Sequence, residues 1–201
     1  MKYRLFLLLP LLTIFLPCIA GDATQLVYDT EGHELSSDSL YYILPVDRGT
    51  GGGIKVSPDK TESCKFFVVQ SRSEAVTGIP VQFKPQNASA GAAVRLSTDI
   101  RIRFRIITTC MKSSEWYVTN SSPLTSRQNV AIMGRVGGPE PPPSAKVFRV
   151  ERYDGATKGY KLVSCTGEGP CKDVGLDTSE ETTWLATSNS PFVVVFKKAD
   201  A

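Results

Sequence analysis

Apolar residues along this chain come in short bursts, and almost none recur at helical spacing. YYILPV (41–46), KFFVVQ (65–70), GIPVQF (78–83), IRIRFRII (100–107), EWYV (115–118), NVAIMG (129–134), KVFRVERY (146–153), YKLVSC (160–165), WLAT (184–187) and FVVVFKK (192–198) read as strands. Clusters of Gly, Pro, Ser, Asn and Asp separate them, among them DRGTGGG, SPDKTES, TNSSPLTS, GGPEPPPS and DGATKG. Short strands with such turn punctuation predict an all-β barrel or sandwich, its edges managed by closure and not by helices. The clearest alternation is IRIRFRI: Ile100, Ile102, Phe104 and Ile106 point to a core, and Arg101, Arg103 and Arg105 face water. A solvated strand face explains those arginines better than a nucleic-acid stripe. The Pro run at 141–143 reads as a loop between strands in preference to a polyproline ligand.

One connection is long and bare. KPQNASAGAAVRL (84–96) is rich in small residues and sits between GIPVQF and DIRIRF, where it can neither fill a core nor form a regular helix. It is therefore the segment most available to touch something else.

The first twenty residues, MKYRLFLLLPLLTIFLPCIA, have a basic start at Lys2 and Arg4, an apolar run, and small residues at Cys18 and Ala20. They read as a signal peptide cleaved after Ala20, because the run is short of the ~20 apolar residues a membrane span needs. The expected product is one domain over 21–201, secreted or vacuolar, monomeric and away from the membrane. Its 21 basic and 20 acidic residues give a net +1, too little for a nucleic-acid reader. Four cysteines stay in it: Cys64, Cys110, Cys165 and Cys171. An even count in an oxidising compartment predicts two disulfides. Of three possible pairings, Cys64–Cys110 with Cys165–Cys171 is preferred, since the last two are close enough to clip one hairpin. On loop entropy the long closure contributes roughly 4 kcal/mol and the short one roughly 2.4 kcal/mol.

Enzyme chemistry finds no footing. GTGGG (49–53) lacks the GK[ST] ending of a phosphate loop and no helical pattern follows it, so it reads as a flexible strand connection. A serine hydrolase would have to use His33, the single histidine, which lies in a DTEGHEL turn, and no GxSxG surrounds a serine. Glu31, Glu34, Glu180 and Glu181 fall in polar turns as solvated carboxylates. With one histidine and no CxxC, neither a metal nor another cofactor is expected.

Several segments taken in order resemble the plant Kunitz, or soybean-trypsin-inhibitor, family: VYDTEGHELSSDSLYYI (27–43), CKFFVVQSRSE (64–74), LSTDIRIRF, EWYV, KVFRVERY, GYKLVSC, the CKDVG after Pro170, and PFVVVFKK. The resemblance spans nearly the whole of the expected product. It implies a β-trefoil, a six-stranded barrel capped by hairpins in three pseudo-repeats, which composition alone does not separate from a sandwich. Tyr41-Tyr42, Trp116-Tyr117 and Tyr160 are candidate markers of equivalent positions. The family also pairs its first cysteine with its second and its third with its fourth.

The resemblance further implies a serine protease inhibitor that works by substrate mimicry, with an exposed loop between the first two cysteines as decoy. Counting from Cys64 puts the residue entering the protease's specificity pocket, P1, near Ala88; counting back from Phe104 puts it near Ala90. Either way the contact falls on Asn87, Ala88, Ser89 and Ala90. Three departures from the trypsin-inhibiting pattern follow. No Lys or Arg occupies P1, the nearest being Lys84 and Arg95, and a small residue suits elastase-like or subtilisin-like pockets. Asn87-Ala88-Ser89 is a glycosylation sequon, as is Asn120-Ser121-Ser122. The family's loop-bracing asparagine is replaced by Ser37 or Asp38, and a shorter side chain such as serine's reaches less far. The rival expectation is a non-inhibitory storage, miraculin-like or carbohydrate-binding trefoil. Inhibition of cysteine or aspartic proteases or of amylase also occurs in the family, whereas chlorophyll binding is disfavoured because Lys65-Phe66 follows Cys64.

Overall fold

The computed structural model describes residues 25–60, 64–106, 113–120, 127–132, 140–166 and 169–200. Twelve strands occur among them: β1 (Tyr41–Pro45), β2 (Ile54–Pro58), β3 (Phe66–Gln70), β4 (Val81–Pro85), β5 (Ile100–Phe104), β6 (Trp116–Val118), β7 (Val130–Ile132), β8 (Phe148–Tyr153), β9 (Gly159–Ser164), β10 (Lys172–Ser179), β11 (Thr182–Ser188) and β12 (Val194–Lys198). The one helical piece among the described residues is a 3₁₀ turn, Pro143–Lys146, so the Pro run at 141–143 leads into that turn.

Every strand pairing is antiparallel, and six strands close on themselves in the order β12-β1-β4-β5-β8-β9, with Val194 opposite Tyr160 completing the ring. The remaining strands form three hairpins, β2–β3, β6–β7 and β10–β11, that meet through β3–β7 and β3–β11. Each third of the chain contributes two barrel strands flanking one cap hairpin. This is the β-trefoil expected from the resemblance. Tyr41 in β1 and Tyr160 in β9 do occupy corresponding strands of the first and third units. Trp116 does not: it lies in β6, the first strand of a cap hairpin.

Strand alternation builds the barrel interior. Tyr41, Ile43, Val81, Phe83, Ile100, Ile102, Phe104, Phe148, Val150 and Phe196 are all buried. Phe83 meets Phe196 edge-on at 5.1 Å between ring centroids, and Trp116 from the cap plugs the barrel between Phe104 (5.3 Å) and Phe148 (6.1 Å). Such tilted and edge-on pairs contribute ~0.5–1.5 kcal/mol beyond the area they bury. Phe67, Val69, Ala131 and Trp184, all in cap strands, form a second, smaller cluster.

Three local expectations change. Ile106 lies beyond the end of β5 and is only partly buried. Of the outward arginines only Arg105 is exposed, whereas Arg101 and Arg103 are half-buried. They are held by Glu115 (3.5 Å) and by the Gln82 side-chain oxygen (2.8 Å) respectively. The glycines of GTGGG are not a flexible connection. Gly52 and Gly53 are buried and their N–H groups donate to Ser71 O and Val76 O, each at 2.8 Å. A Cβ on Gly53 would run into the carbonyl of Thr77, so only glycine allows the two backbones to approach this closely.

The Cys165–Cys171 disulfide is present and clips β9 to β10. Cys64 is also disulfide-bonded; Cys110, its expected partner, lies outside the described residues, as do the leader at 1–20 and Cys18.

Candidate functional site

The connection between β4 and β5 is the longest excursion from the barrel among the described residues. Its stem is regular: Val81↔Phe104 through Pro85↔Ile100 pair in register, and Gln86 N–H donates to Asp99 O at 2.9 Å to close the base. Beyond that bond the chain leaves the sheet. Gln86 to Gly91 are all exposed, the conformation flips to φ +57° at Asn87, and it flips again to φ +74° at Gly91. Asn tolerates the left-handed region better than most residues, and Gly enters it at no cost. Ala92 N–H donates to Ser89 O at 3.2 Å with Gly91 at the third position, the signature of a type II turn.

The returning half is strapped down. Ala92 O accepts from Ser37 N–H (2.9 Å), Val94 N–H donates to Leu35 O (2.8 Å), and Val94 O accepts from Val27 N–H (3.1 Å). Leu96 N–H donates to Gln25 O (2.8 Å), and the isolated bridges Ser36↔Ala93 and Leu26↔Arg95 complete the seam. Val94 and Leu96 sink their side chains into the core. The N-terminal segment is stiffened in turn by Asp29, whose buried carboxylate accepts from the N–H groups of Glu31 and His33, both at 2.9 Å. His33 thus sits in a capped turn, exposed beside Glu31 and Asp29.

A relay of hydrogen bonds ties this strap to the barrel. Arg103 Nε donates to Gln82 Oε1 at 2.8 Å, and Gln82 Nε2 donates to Ser37 O at 2.5 Å; Ser37 N–H then holds Ala92. Beside it, Ser36 N–H donates to the Tyr41 hydroxyl (2.9 Å) and Ser36 Oγ reaches Gly91 O (3.5 Å). The brace therefore uses the Ser37 backbone and the Ser36 hydroxyl, whereas the sequence led to the expectation of a brace weakened by the replacement of an asparagine with Ser37 or Asp38. Asp38 stands near Gly91, its Oδ2 lying 3.2 Å from where a Cβ on that glycine would be. Gln82, Arg103, Tyr41 and Ser36 carry no sequence signal for this role beyond their places in the strand alternation and the turn.

Asn87, Ala88, Ser89 and Ala90 thus fall together at the exposed tip. Lys84 does not join them: it lies within β4 opposite Arg101. Arg95 does not either, being held in the strap. Between tip and barrel is a hollow of ≈ 630 Å³ lined by Asn87, Ala88, Arg95, Thr98, Asp99 and Arg149, its base fixed by the 2.6 Å Arg149–Asp99 ion pair. Among the described residues no group of three His, Cys, Asp or Glu side chains could hold a metal, and no helix is long and apolar enough to cross a membrane. Asn120 is exposed just after β6, while the rest of its sequon lies outside the described residues.

The site is thus an exposed tip on a braced stem. Residues 27–198 match the legume Kunitz family, described as trypsin and protease inhibitor. A rice protein named alpha-amylase/subtilisin inhibitor is 44% identical over 196 residues, covering 96% of this chain and 93% of that protein. Among solved structures, a Kunitz-type trypsin inhibitor from Cicer arietinum is 30% identical with TM-score 0.75, covering 88% of this chain and 99% of its own. A soybean trypsin inhibitor solved in complex with porcine pancreatic trypsin is 29% identical with TM-score 0.71, over 88% of this chain and 100% of that one.

Proposed function

The chain belongs to the legume Kunitz family of inhibitors, and from that premise we propose that it inhibits a serine endopeptidase by offering residues 87–90 as a substrate mimic. The observation that carries this reading is the contrast within one loop: an exposed tip at 86–91 between two ends fixed by backbone hydrogen bonds. A loop ordered before binding avoids most of the entropy cost of being ordered by the protease.

The type II turn favours one of the two registers. Ala90 sits inside the tight turn that Gly91 completes, whereas Ser89 opens that turn and Ala88 precedes it. Ala88 is therefore the P1 residue of this reading and Ala88–Ser89 the scissile bond. Attack by the protease serine on the Ala88 carbonyl would release the Ser89 amine. That amine is tied through the Ser89–Ala92 turn to a segment strapped by Ser37, Leu35 and Val27, so it stays beside the acyl-enzyme and rejoins it, as proximity favours. Alanine fills only a shallow pocket, at ~0.8 kcal/mol per buried CH₂, so much of the affinity comes from the braced backbone. A subtilisin-like or elastase-like pocket fits it, and the subtilisin in the name of the rice relative supports the same choice.

The leader-like residues 1–20 support a secreted or vacuolar protein, and inhibition of foreign proteases there is a defensive role. A panel of subtilisin, elastase, chymotrypsin and trypsin tests the proposal on unglycosylated protein. The expected order is strongest on subtilisin and weakest on trypsin; absence of inhibition of all four would remove it in favour of a non-inhibitory trefoil. The amylase in the rice relative's name supports a second reading, that a different face of the barrel binds an α-amylase. Simultaneous binding of amylase and subtilisin would establish it.

A further inference from the structure

The tip carries a feature that substrate mimicry does not use. Asn87-Ala88-Ser89 satisfies the Asn-x-Ser/Thr rule with a non-proline centre, and Asn87 is exposed in a left-handed turn conformation just outside the last hydrogen bond of the stem. We infer that Asn87 is a site of N-linked glycosylation and that its glycan masks the decoy loop, so that glycan occupancy sets how much of the protein is active. This rests on the proposed inhibitor function.

The chemistry needs a lipid-pyrophosphate-linked oligosaccharide as donor, met on the secretory route that residues 1–20 imply. Asn87 Nδ2 bonds to the anomeric carbon of the first sugar, the bond from that carbon to the pyrophosphate oxygen breaks, lipid pyrophosphate leaves, and one amide proton is lost. The fold accommodates the product. Both Asn87 and Ser89 are exposed, and Asn87 borders the ≈ 630 Å³ hollow, which is also lined by the polar residues Arg95, Thr98, Asp99 and Arg149. A sugar at Asn87 therefore displaces no core side chain.

The same location is incompatible with docking. Asn87 and Ala88 are neighbours along the chain, about 3.8 Å apart at their Cα atoms. A protease–inhibitor interface buries roughly 800 Å² on each partner, and its energy is concentrated near the centre from which water is excluded. A branched, hydrated glycan one residue from P1 stands at that centre and not at the rim. Asn120 follows β6, outside the β4–β5 loop, and provides an internal comparison.

The experiment compares two preparations of the same full chain, one secreted by a eukaryotic host with its leader and one refolded oxidatively from bacteria. Peptide mass spectrometry reads occupancy at Asn87, and titration against a known concentration of subtilisin reads the active fraction. The expected result is glycan on Asn87 in the secreted chain, an active fraction equal to the unoccupied fraction, and occupied molecules about 100-fold weaker or worse. Trimming to a single sugar with an endoglycosidase recovers part of the inhibition, and N120Q changes none of these values. Absence of glycan at Asn87 overturns the site. Occupied protein that inhibits as well as bare protein overturns the masking, as does inhibition that falls on trimming, which would make the sugar a brace. Failure of the bacterial form to inhibit any protease defeats the inhibitor function and the masking with it, while the mass spectrum still decides the modification by itself.

Discussion

Gly91 is where loop geometry and inhibition are most directly coupled, and Gly91→Ala separates them from general stability. The residue holds φ +74° as the third position of the turn that brings Ala92 N–H to Ser89 O. A Cβ in the left-handed region costs about 1–2 kcal/mol. The smaller freedom of alanine in the unfolded chain returns ~0.4–1 kcal/mol. The added Cβ would meet Asp38 Oδ2 at 3.2 Å; that carboxylate is exposed and can give way. The net penalty is therefore ~1 kcal/mol, and it falls on the turn, since the strap at 92–96 and the stem are untouched. Carried wholly into binding, ~1 kcal/mol is about a fivefold weaker inhibition constant. The assays are inhibition of subtilisin by unglycosylated protein and the rate at which the loop is cut during long incubation, alongside the urea unfolding midpoint. The expected pattern is inhibition weakened several-fold and faster cutting, with a midpoint displaced by no more than ~1 kcal/mol. Unchanged inhibition and cutting in a protein whose midpoint has fallen would refute the coupling of turn to function.

Replacing the P1 residue tests the register: Ala88→Lys supplies the charge a trypsin pocket's carboxylate pairs with, so trypsin inhibition should rise by about tenfold or more while subtilisin inhibition falls, and a gain at Ala90→Lys instead would move the scissile bond. Trp116→Ala opens a cavity between Phe104 and Phe148 at the barrel mouth, with an expected loss of about 3–5 kcal/mol in urea unfolding. Removing the Cys165–Cys171 bridge by paired serine substitutions frees a short closure, separation 6, and should cost roughly 2.4 kcal/mol without altering the inhibition constant, because the clip joins β9 to β10, away from the β4–β5 loop. Tyr41→Phe leaves the Ser36 N–H without its acceptor and should cost ~1 kcal/mol, read as faster hydrogen exchange at Ser36 and Ser37.

The barrel was legible because its strands alternate. In β5 a two-residue period carried Ile100, Ile102 and Phe104 inward, and nothing in the fold competes with so strong a pattern. β2 and β10 escaped notice for the opposite reason. IKVSP and KDVGLDTS mix Lys, Ser, Asp, Gly and Pro, and they are strands because their neighbours supply hydrogen-bonding partners, Ile54↔Gln70 through Pro58↔Phe66 in one case. GTGGG looked flexible because a glycine run gives the same signal whether it is solvated or pressed against another backbone. The tip of the candidate site was found from its lack of core-forming residues. Its brace was not, since Gln82 and Ser37 are 45 residues apart in sequence and each looks like an ordinary surface polar residue.

The central claim is that one braced loop presents one bond to a protease. Incubating unglycosylated protein with a small amount of subtilisin and identifying the cut peptide bonds by mass spectrometry tests it most directly. A single cut at Ala88–Ser89, with the two fragments still held in an inhibitory molecule, is the predicted result. Scattered cuts through 84–96, or inhibition by a chain cut nowhere in that loop, would contradict it.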